Sequence, residues 1–167
     1  MDGTVEEYER VLHMKEGILE RKLIWTSPKG KKTRIQILRL VSFARKNIML
    51  ISYRVTPLNY SGEIQFVSKM QTDVENHTRK TNPIVDYGPF GRRLDSDKMW
   101  AKNNKMYYEG TTKGSQLTMA CGSSHVLWKN NDLIKELSWQ KDIKEMMAEI
   151  SVSVECEQGT TVKLDKF

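Results

Sequence analysis

Ile18-Leu19-Glu20-Arg21-Lys22-Leu23-Ile24-Trp25-Thr26, then Ser27-Pro28-Lys29-Gly30, then Thr33-Arg34-Ile35-Gln36-Ile37-Leu38-Arg39-Leu40-Val41 is the stretch that decides the fold class. Both flanks are rich in β-formers. Between them Pro stands second and Gly fourth in a four-residue turn, so the segment reads as strand, turn, strand. Working outward, Asn47 opens another apolar run, Ile48 to Val55, which ends where Pro57 and Asn59-Tyr60-Ser61-Gly62 supply turn chemistry. Glu63 to Met70 then alternates Ile64, Phe66 and Ser68 with Gln65, Val67 and Lys69, a period of two. These spacings predict a meander of at least four strands.

The middle of the chain reads differently. Thr78 to Lys98 carries Pro83, Gly88, Pro89 and Gly91 with no sustained period, which predicts a long loop, ordered by its own Tyr87 and Phe90. Strand patterning returns at Lys105 to Thr112, followed by a turn at Lys113-Gly114, where glycine suits a positive φ, and by Ser115 to Cys121. Leu133, Leu137, Ile143 and Met147 are spaced compatibly with one short helix near residues 131–147; a charged loop crossing the sheet is the alternative. Glu149 to Glu157 and Thr160 to Phe167 alternate again around Gln158-Gly159, predicting a terminal hairpin. Regular short strands separated by turn signals indicate an all-β chain, an antiparallel β-sandwich forming a single domain over residues 1–167.

Composition agrees with one soluble domain: 167 residues, 38% hydrophobic and 29% charged. No run approaches the ~18 apolar residues of a spanning helix, and the acidic start Met1 to Glu7 is unlike a secretory signal, so a cytoplasmic protein without membrane contact is expected. Cys121 and Cys156 read as buried free thiols. The formal charge is +6, and Arg21 to Gly62 holds ten Lys or Arg with no Asp or Glu. Such a stretch could bind nucleic acid, but solvated strand positions and edge lysines that discourage sheet-to-sheet association are the preferred reading.

No catalytic constellation stands out. The three histidines, His13, His77 and His125, are scattered and show no metal-ligand spacing, so neither a metal nor a cofactor is expected. Gly122-Ser123-Ser124-His125 places a hydroxyl near an imidazole, yet sequence neighbours rarely make such a pair. Asp95 and Asp97, in Leu94-Asp95-Ser96-Asp97-Lys98, read as turn residues rather than an acid and base. Of the four tryptophans, Trp25 reads as core, whereas Trp100, beside the long loop, is the candidate for stacking on a sugar ring.

Leu12 to Trp25 (LHMKEGILERKLIW), Arg39 to Ile64 (RLVSFARKNIMLISYRVTPLNYSGEI) and Tyr107 to His125 (YYEGTTKGSQLTMACGSSH) resemble the N-terminal domain of glycoside hydrolase family 65. TNPIVDYGPFGR (Thr81 to Arg92) is similar to the connecting loop of some members, and TPLNYSGEI is the most specific block. The family's usual Leu-Asp-Met stands here as Leu12-His13-Met14. The resemblance implies part of a large β-sandwich, or super-sandwich, belonging to disaccharide phosphorylases that act on maltose, trehalose, kojibiose or nigerose. In such enzymes a glutamate of a separate α/α toroid acts as general acid while inorganic phosphate, the cosubstrate, attacks the anomeric carbon. No residue here matches that motif, so no catalytic residue carries over.

The expected function is therefore a non-catalytic fragment that supports a catalytic domain elsewhere in a longer protein and contributes to homo-oligomer contacts. Within the loop Asn82 to Leu94, Tyr87, Phe90, Arg92 and Arg93, together with Trp100, are the candidates for approaching substrate, since guanidinium forks suit oxyanions. The alternatives are a free-standing carbohydrate-binding module and a basic nucleic-acid-binding domain.

Overall fold

The computed structural model describes residues 2–73 and 94–167. Twelve strands are found among them, all paired antiparallel where the register is defined, and no helix. None of these residues belongs to a helix long and apolar enough to cross a membrane. The chain divides into two compact units: Met1–Phe66, Ser124–Ser138 and Val152–Phe167 form the first, and Val67–Ser123 with Trp139–Ser151 the second.

In the first unit, β1 (Thr4–His13), β2 (Ile18–Thr26), β3 (Lys32–Val41) and β4 (Met49–Pro57) form a meander. The hairpin read from residues 18–41 is present, with Ile18 opposite Leu40 and Thr26 opposite Lys32. Its turn closes through Gly30 N–H to the Ser27 carbonyl at 2.9 Å, and Gly30 takes φ 75°, a conformation that side-chain-bearing residues rarely adopt. The meander nevertheless has four strands for a different reason than expected. β1, unforeseen in the sequence, supplies the outer one, while β5 (Gly62–Gln71) leaves for another sheet. Asn59 holds that departure: its Oδ1 accepts from Lys32 N–H at 2.7 Å and its Nδ2 donates to the Gly30 carbonyl at 2.9 Å, tying the loop after Pro57 to the β2–β3 tip instead of letting it reverse into a hairpin.

β12 (Val162–Lys166) lies between β4 and β8 (Thr118–Lys129), and the short β9 (Asp132–Leu133) pairs with the end of β8. The expected terminal hairpin is thus corrected. β11 (Met147–Cys156) and β12 are strands, but β11 pairs with β10 (Gln140–Lys144) and β5. Gly159, at φ 80°, donates to the Pro57 carbonyl at 2.8 Å, which steers the chain to β4 rather than back along β11. Ile37, Val55, Phe66, Leu127, Val152, Val162 and Leu164 are buried in this unit, and the Tyr53 ring meets Phe66 edge to face at 6.3 Å.

The second unit contains β6 (Leu94–Lys102), β7 (Lys105–Thr112), the start of β8, β10, and the parts of β5 and β11 that fall in it. Ala101, Met106, Ala148 and Ile150 are its core, with Met70, Met99 and Trp139 packed against them. The helix expected near residues 131–147 is absent. Of its apolar positions, Leu133 falls in β9, while Ile143 and Met147 fall in a hairpin, with Ile143 opposite Ala148 and Lys144 opposite Met147 across Glu145-Met146. The pairing to β11 is worth more than an isolated amphipathic turn with a broken stripe. Two smaller readings also change. Residues 94–98 belong to β6 rather than to a loop, and it is Gln116 (φ 54°), not Gly114, that adopts the left-handed conformation before β8. Tyr87, Phe90, Arg92 and Arg93 lie outside the described residues.

Candidate functional site

Trp100 is the sequence candidate that the structure describes, and β6 places it. Alternation along β6 turns Met99 and Ala101 into the second unit's core and leaves Lys98, Trp100 and Lys102 on the other face. A two-residue connection, Asn103-Asn104, with Asn103 at φ 52°, sets the register with β7, so that Trp100 faces Tyr107 and Lys98 faces Glu109. The indole stacks on the Tyr107 ring, centroids 5.5 Å apart and planes 17° from parallel, and stays 43% exposed.

Tyr107 Oη donates to Glu109 Oε2 at 2.7 Å, and Lys98 Nζ donates to Glu109 Oε1 at 2.9 Å. The Lys98 hydrogen bond, then that of Tyr107, holds the Glu109 carboxyl below its ordinary value; the same contacts raise the Lys98 ammonium and the Tyr107 hydroxyl. Glu109 therefore stays ionised and Lys98 protonated around neutral pH. Neither is poised to exchange a proton near pH 7. What the face offers is an aromatic plane flanked by a fixed acceptor and donor, chemistry suited to holding a polar ring rather than to breaking a bond.

The register change at Ser96/Lys98 makes Asp97 the bulged residue, and its carboxylate accepts from Thr111 Oγ1 at 2.6 Å. Asp95 lies 3.5 Å from Lys113 Nζ. The pair is thus strand-borne, not a turn as expected, and each member has its own partner. Ser123 and His125 are both buried in β8. Cys156 is buried, its thiol raised chiefly by desolvation, but Cys121 is exposed, against expectation. Among the described residues no group of three or more His, Cys, Asp or Glu is placed to hold a metal ion.

The model of the glycosyl hydrolase family 65 N-terminal domain matches residues 1–167. The chain belongs to this family. An alpha,alpha-trehalose phosphorylase of Thermoanaerobacter brockii is 32% identical over 167 residues, covering the whole of this chain and 21% of that protein. The alpha,alpha-trehalose phosphorylase of Geobacillus stearothermophilus is 34% identical over 123 residues, 74% of this chain and 16% of that one. A solved human-microbiome protein assigned as a kojibiose phosphorylase superposes with a TM-score of 0.68 at 15% identity, over 99% of this chain and 20% of that chain. This family 65 domain thus spans about a fifth of the length of the relatives it matches.

Lys98, Tyr107 and Glu109 were not singled out in the sequence, although the signal existed. Counting outward from Asn103-Asn104 pairs each with its partner, once residues 94–98 are taken as strand.

Proposed function

We propose that this chain is the sandwich portion of a cytoplasmic glycoside phosphorylase, non-catalytic in itself, which supports a catalytic domain and contributes to contacts between subunits. The observation that carries this reading is the match of the family model along all 167 residues in a chain that spans only about a fifth of its phosphorylase relatives. Phosphorolysis of an α-linked glucose disaccharide, with inorganic phosphate as cosubstrate and no further cofactor, then belongs to the longer protein. The test is phosphorolysis of trehalose and kojibiose by this chain alone and by the longer protein carrying it. We expect glucose 1-phosphate from the second and none from the first; release by the isolated chain at an enzymatic rate overturns the reading.

A second reading, a carbohydrate contact of the domain itself, is favoured by the Trp100–Tyr107 stack beside Glu109 and Lys98. Tryptophan fluorescence should then respond to sugar in the native chain and not in Trp100→Ala. An unchanged response in that variant removes the platform.

A further inference from the structure

A cavity of about 340 Å³ opens along the edge of the β1–β2–β3 meander, lined by Glu7, Glu9, Lys22, Leu23, Ile24, Arg34 and Gln36. Its shape comes from a fault in the ladder. Register steps from Glu6 opposite Ile24 to Glu9 opposite Lys22, so that Glu7 and Tyr8 together face Leu23, and Glu7 is driven to φ 50°, a left-handed backbone in a residue that has a side chain. Bulges redirect side chains, and strain of this sort persists only where the surroundings enforce it. Here the outcome is that Glu7 and Glu9 both face the hollow. Tyr8 is thrown clear, with the Arg21 guanidinium 6.0 Å from its ring centre.

The wall chemistry specifies an occupant. Glu7, Glu9, Lys22 and Arg34 give the wall two carboxylates and two cations, so it carries no net charge to attract an ion in preference to a neutral ligand. Lys22 is shared between Glu9, at 3.8 Å, and Glu20, at 3.1 Å, and Gln36 is held between Glu20 and Arg54. Among the described residues Glu7 and Arg34 have no ion-pair partner, leaving one free acceptor and one free donor fork. Hydroxyl groups both donate and accept, so they satisfy Glu7 and Arg34 together, while Ile24, which shares a strand face with Lys22, Arg34 and Gln36, supplies apolar surface to a C–H face. The volume lies at the small end of the ~300–1,000 Å³ range of ligand pockets. We propose that this hollow is a binding site for a neutral saccharide of one or two rings, distinct in its residues from the Trp100 face. The site rests on the cavity; the choice of a sugar among neutral hydroxylated ligands rests also on membership in a family whose named relatives are disaccharide phosphorylases.

The experiment is an NMR titration of the isotope-labelled chain with D-glucose and with trehalose, to tens of millimolar. Saturable amide shifts are expected at residues 7, 9, 22–24, 34 and 36. Arg34→Ala should weaken binding at least tenfold. Glu7→Gly should do the same while raising Tm, because glycine accepts the left-handed backbone; the opposite signs separate a lost ligand contact from a damaged fold. Absence of saturable shifts with both sugars overturns the site, as does binding that survives both substitutions. Saturation by glycine, a zwitterion, at a lower concentration than either sugar overturns the saccharide assignment. Phosphorolysis by the isolated chain would remove the proposed function and leave this site standing, whereas absent sugar shifts would remove the site and leave that function.

Discussion

Glu20 is a carboxylate ringed by donors. Gln36 Nε2 lies 2.5 Å from one of its oxygens, and His13 Nε2 and Lys22 Nζ lie 3.0 and 3.1 Å from the other. The Gln36 hydrogen bond and then that of His13 outweigh desolvation and hold its pKa at about 2, against 4.5 for an ordinary glutamate. A carboxyl with a depressed folded-state pKa stabilises the fold fully above its unfolded value and loses that contribution as protons bind. Stability should therefore fall as pH drops from 4.5 toward 2, and Glu20→Gln should flatten that part of the profile; urea melts of both proteins across this range check it. Gly110 offers a second test. A Cβ there would sit 2.6 Å from the Asp95 carbonyl oxygen and would overlap Tyr108 Oη, so the aromatic side chain lies where a larger residue would go. Gly110→Ala should cost about 1–3 kcal/mol in denaturant unfolding, through displaced backbone and ring. Single residues were unevenly legible in the sequence. Phe66 and Ser68 face inward as the alternation required, and Trp100 is exposed, but Cys121 is exposed too. Thiol chemistry alone does not say which face of a strand a cysteine occupies.

At the scale of elements, the β2–β3 hairpin was legible because local rules suffice: β-formers on both sides and a turn whose glycine takes the required φ. Residues 131–147 were not. Gln140 to Lys144 carries a single apolar residue, Ile143, and becomes a strand only because β11 offers an open ladder. The value of β11 is in its burial, and Ile150, fully buried in the second unit's core, tests it. Ile150→Ala should destabilise by about 2–5 kcal/mol, the range for truncating a buried isoleucine, measured as a shift in urea midpoint at constant m. A shift below 1 kcal/mol would mean the site is not the close-packed core described. The Lys98–Glu109 and Trp100–Tyr107 pairs were missed for a related reason. Cross-strand neighbours follow from register, and register cannot be counted from a segment read as loop.

At the scale of the molecule, the basic stretch Arg21 to Gly62 shows how sequence distance misleads. It contains no acid, yet β1 and β2 bring acids to it: Lys32 pairs with Glu6 at 3.1 Å, and Lys22 with Glu9 and Glu20. Local neutralisation of that kind weakens a polyanion site. With Lys22 and Lys32 already paired, the log–log decline of DNA retention with salt in a gel-shift series should be shallower than all ten cations of the stretch would give; a slope that counts all ten would contradict this. The sequence by itself determined that the chain is all-β, where its β2–β3 hairpin lies, and which family it belongs to, because alternation, turn chemistry and motif identity are properties of neighbouring residues. Only the tertiary structure decided that β12 lies between β4 and β8, that residues 140–144 pair as a strand, and that Glu7 and Arg34 line one hollow. Those outcomes depend on which ladder edges are open and on where a bulge shifts the register, and both are set by pairing between strands distant along the chain.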